Sequence, residues 1–261
     1  MLLNMNQLTN IAESFYRFFK LGEFAPAVED IAELTMDEAY ECQRNYEALR
    51  VSSGDEPCGY KVGCTSAAIR KQFGFNDPIF GRLMNPGIIA EGADLKANDY
   101  FSLAIEPELV LTLNRDLCDE DCHEDELLAA IDCVQPGIEL HNYVYHYPVP
   151  TRQELICSNG LHAGQIIGQT KVDAGKIDWL LEGVAVFVNG KLVASGVAAD
   201  IMEGPLNSLR CLIRHLAKRN GVLRAGEMVI PGSATQLISV HAGDEVTCSF
   251  TNGGSVTTVF N

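Results

Sequence analysis

Ser102-Leu103-Ala104-Ile105-Glu106-Pro107-Glu108-Leu109-Val110-Leu111 sets two carboxylates two positions apart inside an apolar segment. Alternate residues of a strand share a face, so both acids project the same way, about 7 Å apart along the backbone. Carboxylates crowded into apolar surroundings protonate or repel unless a counter-charge stands beside them. Further along, Gly137-Ile138-Glu139-Leu140 buries a third acid among apolar neighbours. A hard divalent cation meets that need, and oxygen ligands favour Mg²⁺, Mn²⁺ or Ca²⁺ over zinc. The competing account is an edge strand with its acids in solvent, a place where Pro107 is tolerated. The third acid favours the metal.

Outward from this segment the chain divides by pattern. The first 75 residues read helical, with Leu8, Ile11, Phe15 and Phe18 on one face. Thr35-Met36-Asp37-Glu38 fits a capping box, and Ala39, Cys42, Tyr46 and Leu49 follow as a buried stripe. A short helix is expected over residues 66–73, stopped by Gly74. From about residue 80 strands dominate, with one helix expected over 124–134. Asn189-Gly190 between two apolar runs predicts a type I′ hairpin. Pro205 opens a helix that Gly221 is expected to close, and strands return over 228–230, 245–250 and 255–260. The expected class is α+β: a helical N-terminal portion, residues 1–78, on a mostly antiparallel β core, residues 79–261. The two parts are also compatible with one continuous domain.

Composition narrows the partners. A net charge of −16 over 261 residues argues against nucleic acid and anionic membrane, which call for clustered Lys and Arg. No apolar run approaches the ~18 residues of a membrane span. The first residues show no positively charged segment leading into an apolar one, so nothing points to export. Nine cysteines without a CxxC pair fit reduced thiols in a cytoplasmic protein. An anionic small-molecule substrate would then need a local positive centre, which a bound metal supplies.

Two further motifs stand out. Gly59-Tyr60-Lys61-Val62-Gly63 holds a lysine between glycines, whose backbone lets a ligand come close. The alternative is a strand lysine reaching to solvent. Pro231-Gly232-Ser233 ends a strand with an N–H and a hydroxyl that suit an anion, or simply form a turn.

In order along the chain, Gly59-x-Lys61-x-Gly63-x-Thr65-Ser66, Pro78-x-Phe80-Gly81, Glu106-Pro107-Glu108, Glu139, Ser158-Asn159-Gly160, Gly204-Pro205-Leu206-Asn207 and Gly232-Ser233 form a set. It resembles the 2-keto-4-pentenoate hydratases and 2-oxo-3-hexenedioate decarboxylases of the fumarylacetoacetate-hydrolase-like superfamily. The resemblance runs from about residue 30 to the end; the ordered set carries it, more than any one piece. It implies a β-roll core and a Mg²⁺ or Mn²⁺ ion on Glu106, Glu108 and Glu139. It further implies a small 2-oxo acid as substrate, Lys61 in proton transfer with a lowered pKa, Ser233 and Asn159 in substrate binding, and a homo-oligomer. The hydratases typically carry Asp where this chain has Ile79, and often acids where it has Asn142 and Ser158. His141 and His162 are the expected substitutes as catalytic acid/base, since imidazole titrates near neutrality, with activity falling below pH ~6. A purely structural role for either histidine stays open. The implied reaction is hydration of a 2-oxo-4-enoate. Decarboxylation of a vinylogous 2-oxo acid, C–C hydrolysis of an acylpyruvate, and a metal-binding scaffold without activity are the alternatives.

Overall fold

The computed structural model describes residues 5–25, 31–74, 77–119 and 121–261. Its first six strands are β1 (Glu56–Gly63), β2 (Ile79–Asn85), β3 (Ile88–Ala90), β4 (Leu103–Leu113), β5 (Ile131–Asn142) and β6 (His162–Ile167). The later ones are β7 (Gly183–Val188), β8 (Lys191–Val197), β9 (Met228–Ile230), β10 (Ile238–Ser239), β11 (Glu245–Phe250) and β12 (Gly254–Val259). The main sheet runs β2-β1-β9-β4-β5-β6-β3, with β10 also on β4; a second sheet runs β12-β11-β7-β8. Of the pairings between these strands, β1–β9 and β3–β6 are parallel and the rest antiparallel. The expected α+β class with a mostly antiparallel core is what the chain adopts.

The helices are α1 (Met5–Leu21), α2 (Met36–Ser52), α3 (Ala67–Phe73), α4 (Glu124–Ala130), α5 (Arg152–Cys157) and α6 (Pro205–Ala217). Leu8, Ile11, Phe15 and Phe18 are buried, as the α1 stripe requires. Thr35 and Glu38 form the reciprocal capping box of α2. Asn189 and Gly190 both have positive φ, 52° and 75°, which is the type I′ geometry the hairpin needs.

Three expectations change. The first 75 residues are not wholly helical, because β1 lies inside the main sheet between β2 and β9. One apolar cluster joins Ile11 and Tyr46 of the helices to Leu111 and Val229 of the strands, so the N-terminal helices share the core of the sheet. The helix expected over 124–134 stops at Ala130, where the β-branched Ile131 begins β5. Past α6 it is Asn220 that takes the left-handed conformation, with φ 56°, while Gly221 donates its N–H to Leu216 O at 2.8 Å.

Pro107 is not on an edge strand either. β4 pairs with β5 along its length, Glu106 opposite Glu139. On its other side β10 covers Ala104–Ile105 and β9 covers Leu111–Thr112, leaving the stretch between them without a strand partner. Proline, which has no N–H to give, stands in that gap. The loop joining β9 to β10 passes over it, and this opening in the sheet is where the site forms.

Candidate active site

A cavity of about 310 Å³ opens at the gap in the sheet. Lys61 from β1, Glu106 and Glu108 from β4 and His141 from β5 line it, and Ser233 from the β9–β10 loop joins them. Glu139 is 1% exposed and stands among these groups without opening on the cavity. Two-residue periodicity explains the convergence: Glu106 and Glu108 share one face of β4, Glu139 and His141 one face of β5.

Glu139 is the hub. Lys61 Nζ donates to its Oε1 at 2.5 Å, and His162 Nδ1 lies 2.7 Å from the same oxygen. His141 Nε2 is 3.4 Å from Glu139 Oε2 and 3.1 Å from Glu106 Oε2. No hydrogen bond is completed there: Glu139 Oε2 and both His141 ring nitrogens are buried without a partner. One ligand atom each from Glu106, Glu139 and His141 falls within 4.8 Å of the others, a spacing suited to a shared cation. Glu108, the third expected metal ligand, lines the same cavity, and its Oε2 accepts the Gly232 N–H at 2.8 Å.

The charges follow from this packing. Burial lowers the Lys61 ammonium, yet the surrounding Glu139 and Glu106 carboxylates outweigh it and its pKa is raised. The expected lowered lysine is therefore corrected: three acids around one ammonium hold its proton on. Burial alone would also lower His141, but Glu139 and Glu106 push it up to about 9. Burial raises Glu139, and His141 and Lys61 overcome this and hold its carboxylate well below the usual range. Glu108 is raised by burial and by the like charges of Glu139 and Glu106. His162 is lowered, since its burial outweighs the Glu139 contact.

Two expected site residues sit elsewhere. Asn159 does not line the cavity: its Oδ1 accepts from Arg82 N at 2.7 Å and its Nδ2 donates to Arg82 O at 2.9 Å, a brace for β2. His162 lies behind Glu139, on a small apolar recess that also touches Phe15 and Phe18. It touches Glu139 and is not among the described residues that line the cavity, where an acid/base facing the substrate was expected. The glycines that come nearest the lysine side chain lie far from it in sequence. A Cβ on Gly160 would lie 3.1 Å from Lys61 Nζ, and one on Gly81 3.0 Å from Lys61 Cγ. The signal was present as Ser158-Asn159-Gly160, whose glycine carries φ 67°.

No family model matches the chain. It is 27% identical to the 2-keto-4-pentenoate hydratase of Paraburkholderia xenovorans, covering 97% of this chain and 95% of that protein. It is 28% identical to a 4-oxalocrotonate decarboxylase of a Pseudomonas species, covering 96% of each. Among solved structures, the 4-oxalocrotonate decarboxylase of Pseudomonas putida G7 complexed with magnesium and adipate superposes with a TM-score of 0.94 at 26% identity, covering 100% of this chain and 99% of that one. Motif order, fold and similarity along nearly the whole length agree: the chain is similar to 2-keto-4-pentenoate hydratases and 4-oxalocrotonate decarboxylases, and it shares the fold of the latter.

Proposed function

We propose that the chain is a divalent-metal-dependent lyase acting on a 2-oxo acid or its 2-hydroxydienoic tautomer, and that it hydrates a 2-oxo-4-enoate. The observation that carries this reading is the meeting of Glu106, Glu139 and His141 at one point, with unpartnered buried donor atoms, beside Lys61. Those atoms fit a divalent cation, and Glu106, Glu139 and His141 would hold Mg²⁺ or Mn²⁺ with Glu108 alongside. When bound, the cation supplies positive charge against the oxyanion that develops on the substrate's 2-oxygen.

The chain's own part is to carry and orient protons. Lys61 holds its proton on Nζ between Glu139 Oε1 and the Gly160 carbonyl, 3.3 Å away, and faces the cavity as a general acid/base. His162 fixes the Glu139 carboxylate through Nδ1. Ser233, whose Oγ accepts the Thr235 N–H at 3.2 Å, offers its hydroxyl proton to the substrate carboxylate. Water adds as OH at C4 and H at C5, leaving a 4-hydroxy-2-oxo acid.

Decarboxylation is a second reading, favoured by Ile79. A Cβ on Gly63 would lie 3.1 Å from Ile79 Cγ1 and 3.6 Å from Lys61 Cε, so an apolar group stands beside the lysine where a carboxylate would help activate water. The two are separated by incubating the protein and Mg²⁺ with 2-hydroxypenta-2,4-dienoate and, separately, 2-oxohex-3-enedioate. Proton NMR should show 4-hydroxy-2-oxopentanoate from the first; CO₂ from the second alone would select decarboxylation, and consumption of neither would refute both.

A cytoplasmic homo-oligomer completes the proposal. All nine cysteines are free, no helix among the described residues is long and apolar enough to cross a membrane, and edge strand β8 leaves Leu192 60% exposed. Light scattering on the purified chain tests the oligomer.

A further inference from the structure

The far end of the substrate is decided by one wall of the cavity, on the premise of the lyase reading above. The relatives divide on this point: pentenoate has one carboxylate, oxalocrotonate two, and adipate two. Identities of 27% and 28% do not choose between them. The cavity does. Lys61, Glu106, Glu108 and His141 make its charged part, and the loop residues Ser233 and Thr235 add hydroxyls. The wall that starts at Ile79, beside the lysine, continues through Leu161, Leu155 and Pro150. Ile79, Leu161 and Leu155 come from β2, residues 159–161 and α5, pieces that pack on one another, and Pro150 lies just before α5.

Lys61 is the only lysine or arginine among the described lining residues, and Glu139 already holds it. Arg152 at the head of α5 donates to Pro78 O at 3.4 Å and lies 3.8 Å from Asp77, and it does not line the cavity. Arg70 donates to Thr65 O and to Met202 Sδ. Both arginines are felt at Cys64 of the lining but neither reaches the cavity, so a second carboxylate against this wall would shed its water with no cation in contact, a heavy penalty. A methyl or short alkyl end would gain from the same burial. At about 310 Å³ the cavity stands at the small end of the ~300–1,000 Å³ usual for ligand sites, so the tail is short.

We infer that the site selects monocarboxylic 2-oxo acids with a short apolar tail and discriminates against dicarboxylic ones, a choice of tail that stands apart from the choice between hydration and decarboxylation, since a dioate hydratase is among the relatives. The test is calorimetric binding, in magnesium chloride, of pyruvate, 2-oxopentanoate, 2-oxohexanoate and 2-oxohexanedioate. Affinity should rise about fourfold per added methylene, and 2-oxohexanedioate should bind about tenfold or more below 2-oxohexanoate. Leu155→Arg should narrow or reverse that difference by supplying the missing cation. Equal or tighter binding of 2-oxohexanedioate to the unaltered protein would overturn the inference while pyruvate binding still upheld a 2-oxo acid site. Absence of binding by all four, pyruvate included, would remove the lyase reading and this inference with it.

Discussion

Lys61 is held protonated in the metal-free site, because Glu139, Glu106 and Glu108 together outweigh its burial, and it is from that state that we propose it acts. Lys61→Met should therefore cut turnover by roughly 10²-fold or more, the scale of a general acid–base contribution, while calorimetry finds metal affinity nearly unchanged. Unaltered turnover would return the residue to a structural role. Held as proposed, His141 would bring nitrogen into an otherwise oxygen donor set, and imidazole discriminates in favour of later transition metals. Co²⁺ should accordingly bind at least about tenfold tighter than Mg²⁺, and His141→Asn should lower Co²⁺ affinity more than Mg²⁺ affinity. Visible absorption of the Co²⁺ protein would report the same loss of nitrogen. At this scale much was legible in the sequence: Glu106, Glu108 and Lys61 do meet in one cavity, with Glu139 buried against them. What was not legible depended on contacts between distant residues. The direction of the Lys61 shift needs all three acids in place, and the bracing role of Asn159 needs Arg82 of β2. Nor was it legible that the two histidines shift in opposite directions in the metal-free site, His141 pushed up to about 9 by the acids beside it and His162 lowered by burial.

At the scale of elements, the gap beside Pro107 makes the β9–β10 loop part of the site. Gly232 has φ 122°, a conformation L side chains rarely adopt, and a Cβ there would run into the Thr65 side chain. Gly232→Ala should displace the loop, break the N–H contact to Glu108 and reduce activity strongly, with the far-UV circular dichroism of the sheets retained. Activity equal to the unaltered protein would show that the loop does not position Glu108. Helices with capping signals and periodic stripes, such as α2, and the Asn189-Gly190 hairpin were readable because their determinants are local. β1 was hidden in the helical half: Glu56-Pro57-Cys58-Gly59 lacks an alternating pattern, and its partners β2 and β9 lie far along the chain. The gap itself follows from two short strands, β9 and β10, covering separate parts of β4, which no local pattern records.

For the whole molecule, the division of the chain at residue 78 describes composition more than architecture, because β1 and β2 on either side of it are paired. The α2–α6 side of the shared core carries its own pH dependence. His215 packs on the Tyr40 and Phe80 rings, with centroids 4.4 and 4.2 Å away. Burial and the charges of Arg219 and Arg44 lower its pKa from 6.5 to about 3. The unfolded chain then binds one more proton than the folded chain between those values. Its contribution is complete above pH 6.5 and is lost as pH falls toward 3, by up to about 1.4 kcal/mol per pH unit. Urea unfolding of His215→Leu between pH 4 and 7 should show a shallower pH dependence than the unaltered protein; an identical slope would contradict the assignment. The central claim, that Glu106, Glu139 and His141 hold a divalent cation over which Lys61 moves a proton, is tested most directly by pyruvate in deuterated buffer. With Mg²⁺ or Mn²⁺ the methyl proton signal should disappear, and removal of the metal or Glu139→Gln should abolish the exchange. A methyl signal that persists with either metal at full protein occupancy would contradict the account.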